Sequence, residues 1–84
     1  MEVEKILEGS TYRQNDICTP IYENVIYCNS DLNMQRVIVS MCIYKEYYII
    51  ELHNYSKTTL THTVYILSGT KEDAIKFANN ILII

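Results

Sequence analysis

A run of ten residues, 35–44 (QRVIVSMCIY), restricts the fold of this chain more than any other stretch. From residue 37 onward its odd positions are all apolar, whereas its even positions mix polar and apolar residues. A period of two with one apolar face is typical of a β-strand, because successive side chains of a strand point to opposite faces. The run therefore predicts a strand that buries Val37, Val39, Met41 and Ile43.

Two later stretches have the same period. Residues 47–55 place Tyr48, Ile50 and Leu52 on one face, and residues 59–67 alternate between two mixed faces. In the second stretch we assign the even positions to the core: Leu60, His62, Val64 and Ile66. A three-residue loop, 56–58, then places Leu52 opposite His62, and an even-length turn of two or four residues at Lys45-Glu46 joins the first strand to the second.

The period changes to a helical one at the end of the chain. Thr70 is a candidate N-cap with Asp73 three residues later, which is the spacing of a capping box. A wide apolar stripe follows at helical spacing: Ala74, Ile75, Phe77, Ala78, Ile81 and Leu82. This pattern predicts a C-terminal helix that lies across one face of the sheet, against Val39, Met41, Ile50, Val64 and Ile66.

The remaining segments complete the fold prediction. Residues 21–28 (IYENVIYC) favour a strand, 2–8 a short helix or a strand, and 9–20 and 29–33 loops. The fold class is α+β: a small antiparallel sheet of three or four strands with a C-terminal helix packed on one face. The 84 residues form one domain, 1–84.

Composition excludes several classes of protein. No apolar run approaches the roughly 18 residues of a membrane span, and the acidic N-terminus does not resemble a signal peptide. A net charge of −3 disfavours binding to duplex DNA. The odd number of cysteines, Cys18, Cys28 and Cys42, with no zinc-type spacing, predicts free thiols in a reducing cytosol.

No motif commits the chain to a chemistry. The predicted loop length places His53 and His62 on opposite faces of the sheet, so we expect no metal site. Cys42 and His53 share the outer face by parity, but the sequence offers no oxyanion hole for a nucleophile. We therefore expect no catalytic residue, no cofactor and no metal.

The outer face of the sheet is the candidate binding surface. By parity it collects tyrosines and one isoleucine that the helix leaves uncovered: Tyr44, Tyr47, Ile49, Tyr55 and Tyr65. Tyrosine is enriched at protein interfaces, although it is also a good strand former. We expect these residues to contact a protein target, a second copy of the chain or the N-terminal segment.

The expected function is that of a non-enzymatic protein-binding module in the cytoplasm. The 13 Ile, 8 Tyr and 7 Asn suit an AT-rich genome. Small acidic chains of this kind favour a phage or mobile-element inhibitor of a host system, of the anti-CRISPR type, although no motif identifies a family. The alternatives are a homo-oligomeric antitoxin or immunity-type domain, such as a homodimer, and, less favoured, a domain that binds single-stranded nucleic acid.

Overall fold

The computed structural model describes residues 2–6, 18–27, 34–42, 47–56 and 60–82, which form five strands and one helix. The elements are β1 (Glu2–Ile6), β2 (Cys18–Tyr27), β3 (Met34–Cys42), β4 (Tyr47–Tyr55), β5 (Leu60–Ser68) and α1 (Lys71–Asn80). One antiparallel sheet has the order β1-β5-β4-β3-β2, and α1 packs on one of its faces. The predicted α+β fold is confirmed, and its N-terminal element is a strand.

The edge strand β2 begins earlier than predicted. Its first residues, 18–20, fall in the segment that the sequence suggested was a loop, because Pro20 ends a polar stretch. The register against β3 shifts between Pro20 and Tyr22. An edge position and a bulge are the places where a sheet tolerates proline, which donates no ladder hydrogen bond. The predictions for 9–17, for 29–33 and for the Lys45-Glu46 turn lie outside the described residues.

The main core lies between α1 and the sheet. Its fully buried members come from the three central strands and the helix: Val37, Val39, Ile50, Leu67, Ala74 and Ala78. The two alanines let the helix approach β3 and β4 closely, and Phe77 packs beside them. Val39 pairs with Ile50, as the predicted faces of β3 and β4 require. Met41 was expected in this core but is exposed.

The register of β4 against β5 differs from the prediction by one residue. His53, not Leu52, lies opposite His62, and Tyr55 pairs with Leu60, so four positions separate the paired ends instead of three. A slip of one residue exchanges the two faces of a strand. Val64 and Ile66 therefore lie on the face of the sheet that points away from the helix, whereas Tyr65 and Leu67 lie on the face that packs against it.

The helix begins at the predicted capping box. The backbone N–H of Asp73 donates to Oγ1 of Thr70 at 3.1 Å, and the backbone N–H of Thr70 donates to Oδ2 of Asp73 at 3.2 Å. These two bonds satisfy donors that the first turn of a helix leaves without partners. The backbone N–H of Thr70 and, to a smaller extent, its hydroxyl also hold the pKa of Asp73 below its ordinary value, because both stabilise the ionised carboxylate.

The lowered pKa of Asp73 predicts an acid-sensitive contribution to stability. The contribution is complete above the pKa of an unfolded Asp, about 3.9, and disappears as the pH falls through the lower folded value. We expect wild type to be more stable than Asp73→Asn at neutral pH, and the difference to shrink as the pH falls below the ordinary pKa of an aspartate. Urea unfolding of both proteins at several pH values measures it. A difference that is constant with pH would contradict this role.

Two cysteines that were predicted to be free form a disulfide. Cys18 and Cys42 are cross-strand partners on β2 and β3, and their Cα atoms lie 4.4 Å apart. The pairing depends on the register of β2, which cysteine spacing in the sequence does not reveal. Because disulfides are rare in the cytosol, the argument for a reducing compartment loses its basis. Within the described ranges, no helix is long and apolar enough to span a membrane.

Candidate functional site

The face of the sheet opposite α1, which we call the helix-free face, carries a second buried cluster. Cys42, Ile49 and Val64 are its buried members, with Cys18, Tyr47 and Ile66 packed against them. The cluster occupies the end of the sheet near the disulfide. In that part of the helix-free face the side chains pack against one another and do not form an open surface.

The five residues predicted to form a contact surface do not share one face. Tyr47, Ile49 and Tyr55 lie on the helix-free face, as expected, but Ile49 is buried. Tyr65 was assigned to the same face and lies on the opposite one, where its ring meets Phe77 edge-on with centroids 5.1 Å apart. The one-residue difference in the β4–β5 register explains this error. Tyr44 lies outside the described residues.

An apolar row crosses the helix-free face at the end away from the disulfide. Four side chains, one from each of β2, β3, β4 and β5, are successive cross-strand partners: Tyr27, Met34, Tyr55 and Leu60. Tyr27 is 77% exposed and Leu60 66%, and the two between them are half-buried. Tyr27, Met34 and Leu60 were not among the predicted contact residues, because their alignment depends on strand registers that the sequence pattern does not reveal.

A cluster of two histidines and one glutamate lies beside this apolar row. His53 and His62, which the sequence placed on opposite faces, are cross-strand partners on the helix-free face. Their rings stack at 9° with centroids 4.3 Å apart. Oε2 of Glu51 lies 3.3 Å from Nε2 of His62 and 3.7 Å from Nε2 of His53. The prediction that these histidines point apart was wrong.

The charges around this cluster come from three strands. Burial lowers the pKa of His53, the adjacent His62 lowers it further, and Glu51 acts in the opposite direction. Arg36 on β3 is the cross-strand partner of His53 and also lowers its pKa. The Arg36 guanidinium is held by Glu23 on β2, with 2.6 Å between Nη2 and Oε2. Burial and nearby positive charge both lower the pKa of His53 and so favour its neutral imidazole.

The sequence contained part of the signal for the cluster. Glu51 and His53 are two residues apart in a strand, so they share a face whatever the register. Only the pairing of β5 adds His62 to them.

Comparison of the chain with protein-family models, curated proteins and solved structures found no match. The geometry of the helix-free face therefore carries the functional argument.

Proposed function

We propose that the chain is a non-enzymatic protein-binding module whose contact surface is the apolar row of the helix-free face. The observation that carries this proposal is the exposure of Tyr27 and Leu60 at the two ends of a continuous row across four strands. Single exposed apolar residues are normal on protein surfaces, but contiguous ones mark interaction sites. Tyrosine supplies contact area at low entropic cost, which suits Tyr27 and Tyr55 to this role.

The non-enzymatic part of the proposal is supported by the disulfide. Cys42 was the one nucleophile candidate that parity placed on the same face as His53. In the described structure its sulfur is bonded to Cys18, so the thiolate that a nucleophile requires is not available. His53, His62 and Glu51 are groups on this face suited to proton transfer, and no free cysteine thiolate accompanies them in β2–β5.

The partner that fits this surface is a protein with apolar side chains ringed by basic ones. The chain carries a net charge of −3, so a second copy would bring like charges together, whereas a basic partner would be attracted. Nucleic acid is a poorer fit. Arg36 is the single arginine or lysine that β2–β5 contribute to the helix-free face, and Glu23 pairs with it.

An inhibitory role is the narrower form of the proposal. Its support is compositional: a small, acidic domain, rich in Ile, Asn and Tyr, of the kind that phage and mobile elements use against host systems, including CRISPR systems. In such a role the apolar row would cover a working surface of the host protein. The target would be a bacterial protein with a basic surface.

Charge substitutions in the apolar row test the proposal. We expect Leu60→Glu and Tyr27→Glu to abolish capture of a target protein from a low-GC bacterial lysate, because burying an unpaired carboxylate costs several kcal/mol. Met41→Glu is the matched control, since Met41 is also exposed but lies on the helix side of β3. Quantitative comparison of the captured protein across the four baits is the measurement.

Three outcomes would contradict the proposal. Equal capture by all four baits would show that the row is not the contact surface. Loss of capture by Met41→Glu as well would show that the effect is general to added charge. A doubled mass of the wild type without a partner, abolished by Leu60→Glu, would assign the row to a second copy of the chain. Circular dichroism confirms that each variant is folded.

A further inference from the structure

We propose that Glu51, His53 and His62 form a binding site for one divalent transition-metal ion, with Zn²⁺ as the reference ion. The proposal is independent of the protein-binding function. It arises from the register of β4 against β5, which brings the only two histidines of the chain together with a carboxylate. The site has one carboxylate and two imidazole ligands on two adjacent strands.

The distances between the candidate ligand atoms fit a single ion. One nitrogen or oxygen of each residue lies within 4.8 Å of the others, and the Glu51–His62 pair is separated by 3.3 Å. Zinc binds imidazole nitrogen and carboxylate oxygen at about 2.0–2.2 Å, so tetrahedral ligands stand about 3.4 Å apart. The ligand atoms are therefore close enough for one ion, and the stacked imidazole rings must rotate out of their parallel arrangement to direct a nitrogen each toward it.

The Nε2 atom of His62 provides a second observation that points to a ligand. This atom is buried, and no atom of the described residues forms a hydrogen bond with it. Oε2 of Glu51 is close but does not provide that hydrogen bond. Buried polar atoms are nearly always paired, and an unpaired one calls for a water or an ion. A metal ion on Nε2 would satisfy it.

The surroundings permit an ion to reach the site. The three side chains are between 22% and 35% exposed, so the cluster borders solvent on the helix-free face even though Nε2 of His62 is itself buried. Arg36 is the unfavourable neighbour, but its charge is offset by the ion pair with Glu23. Two histidines and one glutamate are a ligand set that zinc uses with a fourth position left for water or another group. Cu²⁺ and Ni²⁺ also favour imidazole.

A titration with Zn²⁺ on protein without a histidine tag tests the site. We expect isothermal titration calorimetry at neutral pH to give one ion per chain. Removal of both imidazoles, in His53→Ala/His62→Ala, should weaken binding by more than the roughly 10–100-fold that loss of an outer-shell partner costs. Glu51→Gln should also weaken it, whereas Glu72→Gln on the exposed part of α1 is the matched control and should bind as wild type does.

Nuclear magnetic resonance of the wild type keeps the test decisive if a variant does not fold. Equimolar Zn²⁺ should shift the ring resonances of both histidines and leave those of Phe77 unchanged. Absence of binding to the wild type would overturn the proposal. Unchanged affinity of the folded double histidine variant would place the ion elsewhere, and one ion per two chains would exclude a site made by a single chain.

Discussion

Ile50→Ala is expected to lower the free energy of unfolding by roughly 2–5 kcal/mol, as large-to-small changes in a core do. Ile50 is 0% exposed and lies between Val39 and Tyr65 on the helix side of the sheet. The deletion removes apolar contacts beneath α1 and leaves a cavity that the close-packed sheet cannot fill completely. Urea unfolding, with a two-state fit, measures the change.

Leu60→Ala is the control for this prediction. Leu60 has a side chain of the same size in the same sheet, but it is 66% exposed, so its truncation should cost less than about 1 kcal/mol. A similar loss of stability in both variants would contradict the assignment of Ile50 to the main core. So would a cost of Ile50→Ala that is as small as the one expected for Leu60→Ala.

Reduction of the Cys18–Cys42 disulfide is expected to cost about 3 kcal/mol of stability. The bond joins residues 24 positions apart, and cross-links that close loops of this length restrict the unfolded chain by about that amount. The midpoint of urea unfolding should therefore fall when a reducing agent is added. The comparison of oxidised and reduced wild type under otherwise equal conditions gives the value.

Two variants separate the disulfide from other effects of reduction. Cys28→Ala retains both bonded cysteines, so its stability should remain sensitive to the reducing agent. Cys18→Ala/Cys42→Ala should be insensitive to it. A wild type whose midpoint does not respond to reduction, together with three thiols titrated in the unreduced protein, would show that the cysteines are free, as the sequence first suggested.

The parts of the fold that the sequence predicted correctly depend on local signals. The helix was predictable because Thr70, Asp73 and the apolar stripe of α1 are read from neighbouring residues. The faces of β3 and β4 were predictable because in each strand one parity is clearly more apolar than the other. Burying the two apolar faces together then required an even number of residues in the turn between those strands, but it left the choice between two and four residues, and so the register, open.

The sequence could not fix the register of β5, because this strand is apolar on both faces. Val64 and Ile66 are as suitable for a core as Tyr65 and Leu67, and the structure uses both pairs, one on each side of the sheet. The alternation of residue types therefore favours neither face of β5 for the main core. The number of residues between the paired ends of β4 and β5, three or four, decides which face packs against the helix. The error in that length also hid the histidine pair and misplaced Tyr65.

The disulfide and the apolar row were beyond the sequence for a related reason. Both depend on which residues of distant segments lie opposite each other. Cys18 reaches Cys42 only because β2 starts early and carries a bulge near Pro20. Tyr27 joins Met34 through the register of 22–27 against β3, which lies on the other side of that bulge. Neither position has a local pattern that predicts its partner.

The register of β4 against β5 determines the apolar row, the histidine pair and the core contacts of β5, and proton–proton nuclear Overhauser contacts test it most directly. The described register predicts contacts between the rings of Tyr65 and Phe77, and between the methyl groups of Leu67 and those of Ala74 or Ala78. It also predicts ring contacts between His53 and His62. Contacts of Val64 with Ala78, with none between Tyr65 and Phe77, would establish the alternative register and contradict both proposed sites.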